Sequence, residues 1–159
     1  NPEAHFKGND HWFNNGTKLL AELNKILESG NQVTYTWQRV VSQTPSGDAG
    51  YAVYSDCKLG EGVSEDDFYN AYKTYAKAAR ELGDVAGRKM ILPTSGVPST
   101  WDYDFVQLVT TETIADYGKN WTNFWSQATG ESMPELKALQ DLGGSCENER
   151  TYGIVPVRN

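Results

Sequence analysis

Four consecutive segments decide how this chain folds: YAVYSDCKL (51–59), SEDDFYNAYKTYAKAARELGD (64–84), GRKMILP (87–93) and WDYDFVQLVTTE (101–112). The first reads as a strand over 51–58, closed by Gly60-Glu61-Gly62. In the second, Ser64 is a good helix N-cap, and Glu65, Asp66 and Asp67 fill the first turn, where the helix dipole favours negative charge. Phe68, Tyr72, Tyr75, Ala76, Ala79 and Leu82 then recur at helical spacing, and Gly83 stops the helix. The third segment predicts a short strand over 89–92 ended by Pro93. A loop with Gly96 and Pro98 leads to a strand over 103–110.

The flanks extend this order. Thr113 caps a helix carrying Ile114, Tyr117, Trp121, Phe124 and Ala128, which Gly130 ends. A short helix over 131–142 follows, with Leu136 and Leu139. Gly143-Gly144-Ser145 leads through Cys146 to a last strand over 151–157. Upstream, residues 1–10 read as an extended arm. Leu19, Leu20, Leu23, Ile26 and Leu27 mark a helix over 15–28, and β-branched and aromatic residues mark a strand over 32–44. Pro45-Ser46-Gly47-Asp48 makes the turn into the main segment.

Strand, helix, strand, strand, helix, strand is the ferredoxin-like order, so the fold class is α+β: a ferredoxin-like βαββαβ antiparallel sheet with an extra N-terminal helix and strand. Two regions are expected, an arm with helix and strand over 1–49 and the ferredoxin-like domain over 50–159. The front helix and strand also read as a half repeat of the last helix and strand, since Asp10-His11-Trp12-Phe13 parallels Asp116-Tyr117 through Trp121; the alternative is that any two amphipathic helix–strand pairs look this alike. The ordering resembles the dimeric α+β barrel superfamily. That resemblance covers about Gly50 to Arg158 and implies helices on one sheet face, with the other face closing a cavity against a partner sheet, from a homodimer or a sister domain.

Adjacent first and last strands would bring the end of 51–58 to the start of 151–157, near Cys57 and Cys146. A disulfide is expected there; two independent thiols are the alternative. The chain begins at Asn1 rather than Met, which agrees with a removed leader or with trimming. Together these features predict an exported protein, secreted or periplasmic. Asn15-Gly16-Thr17 and Asn120-Trp121-Thr122 match the glycosylation acceptor pattern.

Composition narrows the partners. The chain has 159 residues, 38% hydrophobic and 22% charged, an ordinary globular balance able to bury a core. Its net charge of −7 opposes nucleic acid and anionic membranes, which demand a basic face. No stretch has the length of an apolar membrane span. The two cysteines form no CxxC and lie near no histidine, so no metal site is expected.

Signatures of catalysis are missing: no GxSxG, GxGxxG, Walker loop or HExxH occurs. The two histidines, His5 and His11, both lie in the N-terminal arm or its junction. Haem-binding relatives within the α+β barrels use a helix histidine that this chain does not have after His11, and no cofactor is expected. Asp102 and Asp104 read as a solvated strand start rather than an acid–base pair. Asp56 is expected at the far end of a parallel neighbour, beside Glu112 and Arg150.

The aromatic residues carry the functional expectation. Tyr35, Trp37 and Arg39 share one strand face, and Tyr54, Trp101 and Tyr103 sit on strands expected nearby. Arg39 among rings could pair with an anionic ligand or stack on an aromatic face. The sequence thus predicts a protein that binds a small, partly apolar molecule in a polar-aromatic cavity at these six residues, with enzymatic activity left open. The alternative is a non-enzymatic assembly module whose aromatic sheet face is buried in an oligomer interface.

Overall fold

A computed structural model describes residues 16, 21–22, 35–127 and 133–155, without the side chains of 35 and 124–127. The chain divides into two units, Asn1–Val33 and Thr34–Asn159. In the first, only Gly16, Ala21 and Glu22 are described, the latter two helical. The helix expected over 15–28, the arm, the half repeat, His5, His11 and the Asn15 acceptor pattern lie outside the described residues, in whole or in part. So do Phe124 as a side chain, Ala128 and Gly130.

In the second unit the described elements run β1 (Tyr35–Ser42), β2 (Tyr51–Lys58), α1 (Glu65–Glu81), β3 (Gly87–Ser95), β4 (Phe105–Thr111), α2 (Ile114–Gln127), α3 (Pro134–Asp141) and β5 (Ser145–Gly153). The five strands form one sheet in the order β1-β3-β4-β2-β5, and every pairing is antiparallel. The class is therefore mixed α+β with an open five-stranded sheet and, among the described residues, three helices.

Strand period assigns the faces. Val53, Ser55 and Cys57 of β2 stand opposite Val109, Gln107 and Phe105 of β4 and share one face. Met90 and Leu92 of β3 and Val41 of β1 join that face, where they pack with Phe68, Tyr72, Tyr75 and Ala76 of α1 and with Leu136 of α3. Tyr51, also on this face, meets Tyr117 of α2 at 5.4 Å between ring centroids. The three described helices thus cover the same face.

Helix α1 begins as its sequence dictates. The Ser64 Oγ accepts from the Asp67 amide at 3.1 Å, and Gly83 ends the helix at φ 90°. Its partners hold it against β1: the Tyr69 hydroxyl donates to the Val40 carbonyl at 2.9 Å, and Arg39 pairs with Asp66 at 2.7 Å. The loops at one end of the sheet are tightly apposed. A Cβ on Gly60 would sit 1.8 Å from the Leu142 carbonyl oxygen, so only glycine fits there.

Three expectations need correction. Strand β3 does not end at Pro93 but runs on to Ser95, with Pro93 paired to Thr36 of edge strand β1. The last strand begins at Ser145, six residues earlier than 151, because its polar run SCENER pairs along β2 as an edge strand whose side chains need no core. Neighbouring strands β2 and β4 are antiparallel rather than parallel, since the β3–β4 hairpin reverses the chain. Glu112 consequently lies at the far end from Asp56: Tyr51 faces Thr111, whereas Cys57 faces Phe105.

Candidate functional site

Two constellations of side chains stand out, one under the helices and one at the end of β2. Under the helices is a cavity of about 320 Å³ whose walls come from β2, β3, β4 and β5 and from all three described helices. Tyr72 and Tyr75 of α1, Tyr117 and Trp121 of α2, and Met133 and Leu136 supply apolar and aromatic surface. Ser55, Gln107 and Arg88 enter from the inward face of the sheet, because strand alternation puts them in register with the core residues, and Glu149 of β5 joins them on the cavity wall.

Its polar groups are mostly spoken for. Arg88 Nη1 pairs with Asp84 Oδ2 and donates to the Ala86 carbonyl at 3.3 Å, and both charged side chains are 10% exposed. Burial opposes the Arg88 charge, but Tyr72 and Asp84 beside it more than compensate, so its pKa rises. The guanidinium also lies 5.6 Å from the Tyr75 ring centroid. Gln107 Nε2 donates to the Tyr72 hydroxyl at 2.6 Å. Burial pushes the Tyr72 phenol up to about 12 and raises Tyr75 and Tyr117 as well, so these phenols keep their protons at neutral pH.

One wall group is unsatisfied. Asn120 Oδ1 accepts from the Val85 amide at 3.2 Å, while Asn120 Nδ2 is buried with no hydrogen-bond partner. A buried amide donor left unpaired costs free energy, and such an atom on a cavity wall marks a place for an acceptor. The same geometry removes Asn120 as a glycosylation acceptor in the folded chain, because its side-chain nitrogen is enclosed.

The second constellation ties β2, β5 and the loop before β4 together. Cys57 and Cys146 are direct cross-strand partners and form a disulfide. One residue back, Asp56 receives both Arg150 Nη1 and Nη2 at 2.7 Å, a forked ion pair. The Arg150 hydrogen bonds hold the Asp56 carboxyl below the usual carboxylate range. Asn148, at φ 54° in a break of strand register, donates to Tyr103 Oη at 3.0 Å, and Tyr103 donates to Glu147 at 2.7 Å. Asp102 pairs with Lys58 at 2.5 Å, and Asp104 accepts from the Leu59 amide at 2.7 Å. Both aspartates therefore approach the Asp56 end of β2, with their charge taken up by a lysine and a backbone donor.

The six aromatic-set residues named from the sequence fall in three places. Trp37 and Arg39 share the helix-covered face of edge strand β1, where Trp37 is 55% exposed and Arg39 stacks on Tyr69 at 3.9 Å. Tyr35 belongs to β1 opposite Ser95, beyond a register shift. Tyr54 faces the other side of the sheet and meets Tyr152 at 5.7 Å between centroids. Trp101 and Tyr103 lie edge to face at 5.2 Å before β4, where the Trp101 indole donates to the Tyr103 carbonyl at 2.7 Å. None of the five whose side chains are described lines the cavity.

Sequence reasoning missed Asp84, Arg88, Gln107 and Asn120. A signal existed for two of them. Arg88 stands two residues before Met90 and so shares its strand face, and Asn120 falls three residues from Tyr117 on the apolar stripe of α2. Among the described residues, no group of three or more His, Cys, Asp and Glu side chains could hold a metal ion, and no helix is long and apolar enough to cross a membrane.

No protein-family model matches the chain, and neither does a curated protein or a solved structure. Function is read from the chemistry of the site alone.

Proposed function

We propose that this chain binds a small, partly apolar molecule in the cavity between the sheet and its helices. The observation that carries the reading is the buried, unpartnered Asn120 amide on the wall of a cavity of about 320 Å³, a size within the range of small-molecule sites, roughly 300–1,000 Å³. Aromatic walls suit a planar ring. Asn120 Nδ2 calls for a carbonyl or ether oxygen on that ring. With Arg88 neutralised by Asp84 and Glu149 adding negative charge, the site favours a neutral ligand over an anion.

Strand order supports reading β2 to β5 as a ferredoxin-like unit with β1 added at its edge, and with it the pairing of two such sheets in a homodimer. The disulfide supports an exported protein, since such bonds persist in oxidising compartments.

The test is an NMR titration with a panel of neutral one- and two-ring amides and ketones. Binding should shift the Asn120 side-chain amide and quench Trp121, and Ala79→Leu should abolish both responses by filling the cavity. A panel that moves neither signal, with Ala79→Leu simply gaining stability, would refute the reading.

A further inference from the structure

On its other side, helix α1 faces β1 across an open groove that shares no lining residue with the cavity. Lys73, Lys77 and Arg80 line it at spacings of four and three residues, which places all three on one helix face. Opposite them run Ser42 and Gln43, and no carboxylate lines the groove among the described residues. We infer that this groove binds an oxyanion, a phosphate or carboxylate group carried by a small ligand.

Clustering of unpaired charge sets these cations apart, since Lys89 and Lys119, also outside any ion pair among the described residues, do not line the groove. Arg39, Lys58, Arg88, Lys137 and Arg150 are each in an ion pair. Among the described residues, no ion pair engages Lys73, Lys77 or Arg80, although the chain carries a net charge of −7. Three neighbouring like charges repel one another, and among the described residues no carboxylate in the groove offsets them; Lys73 has only the Tyr69 ring face at 5.4 Å.

Arg80 supplies the second, independent observation. Its Nη2 donates to the Gln43 carbonyl at 2.6 Å and to the Ala86 carbonyl at 3.0 Å, which fixes the guanidinium at the base of the groove. Its Nη1 is buried with no partner. A guanidinium so anchored presents a preset fork edge, the geometry that oxyanions match. An oxygen seated in the groove gives Nη1 the acceptor it lacks, and Lys73 and Lys77 close over the remaining oxygens. The Ser42 and Thr74 hydroxyls are spent on the Ala86 and Asn70 carbonyls, so the cations do the binding.

The experiment titrates inorganic pyrophosphate and, in a parallel arm, citrate into the full chain at constant ionic strength, followed by amide NMR. The expected result is a saturable shift of the Val41–Gln43, Lys73, Thr74, Lys77 and Arg80 resonances, with those of Tyr75 and Ala79 on the cavity wall left out of the readout. Loss of one charge-assisted contact should weaken binding about tenfold in Lys77→Gln, whose side chain is exposed and not needed for folding. A response to pyrophosphate alone assigns a phosphate ligand, to citrate alone a carboxylate ligand, and to both a general oxyanion site. Silence in both arms, or affinity unchanged in the Lys73→Gln/Lys77→Gln double variant, overturns the inference. The cavity plays no part in this readout.

Discussion

Removing the Cys57–Cys146 disulfide tests how this unit holds its edge strand. The bond joins residues 89 positions apart and encloses α1, β3, β4, α2 and α3. By the loop-entropy relation, a closure of that length stabilises by roughly 4.6 kcal/mol. The two half-cystines are already direct register partners between β2 and β5, so the backbone pairing does not depend on the bond. A Cys57→Ala/Cys146→Ala variant should therefore keep the fold and lose stability through its freer unfolded chain, with a further cost from the space vacated by fully buried Cys57. Urea unfolding of the oxidised chain against the variant is the assay. With a slope of about 1.5 kcal/mol per molar urea, the midpoint should fall by about 3 M, and the slope should steepen because the unfolded chain without the bond is less compact. A fall below about 0.5 M would refute the reasoning, because the loop would then be closed by other contacts in both states.

Two further results are expected. Asp56→Asn should cost about 1–3 kcal/mol in the same assay, since it removes a charge-assisted fork from a carboxylate that is 7% exposed. The Asp56 pKa is lowered in the folded chain, so its contribution is present above the unfolded carboxylate pKa and lost as pH falls through the folded one. Wild type should lose its margin over the variant below about pH 4, and a margin constant from pH 7 to pH 2 would contradict the pairing. Tyr72 titrates in the opposite sense. Its pKa moves from 10.0 to about 12 on burial, so stability present in full below pH 10 falls as pH rises towards 12. Tyr72→Phe should remove that alkaline decline, read from unfolding curves between pH 9 and 12; an identical decline in both proteins would show that another group causes it.

What could be read without coordinates is what depends on neighbours in sequence. Ser64, the three acids after it and the Phe68–Ala79 spacing announced α1 because capping and amphipathic period act within a few residues. The loop with Gly96 and Pro98 likewise announced β4, expected over 103–110 and found at Phe105–Thr111. Strand β5 resisted reading: SCENERTYG has almost no β-branched or apolar residue, and its stability comes from partners on β2 rather than from its own composition.

The sequence by itself determined the order of elements in the second unit, because that follows from local pattern, and it left a disulfide and two separate thiols both open until the β2–β5 register decided for the bond. Only the tertiary structure decided which side chains share a place. A single parity along each strand sends Trp37 and Tyr54 to opposite faces, while folding brings Arg88, Gln107 and Asn120 to one cavity from three separate elements. Convergence of that kind is a long-range property, fixed by register and helix docking, and no window of neighbouring residues contains it.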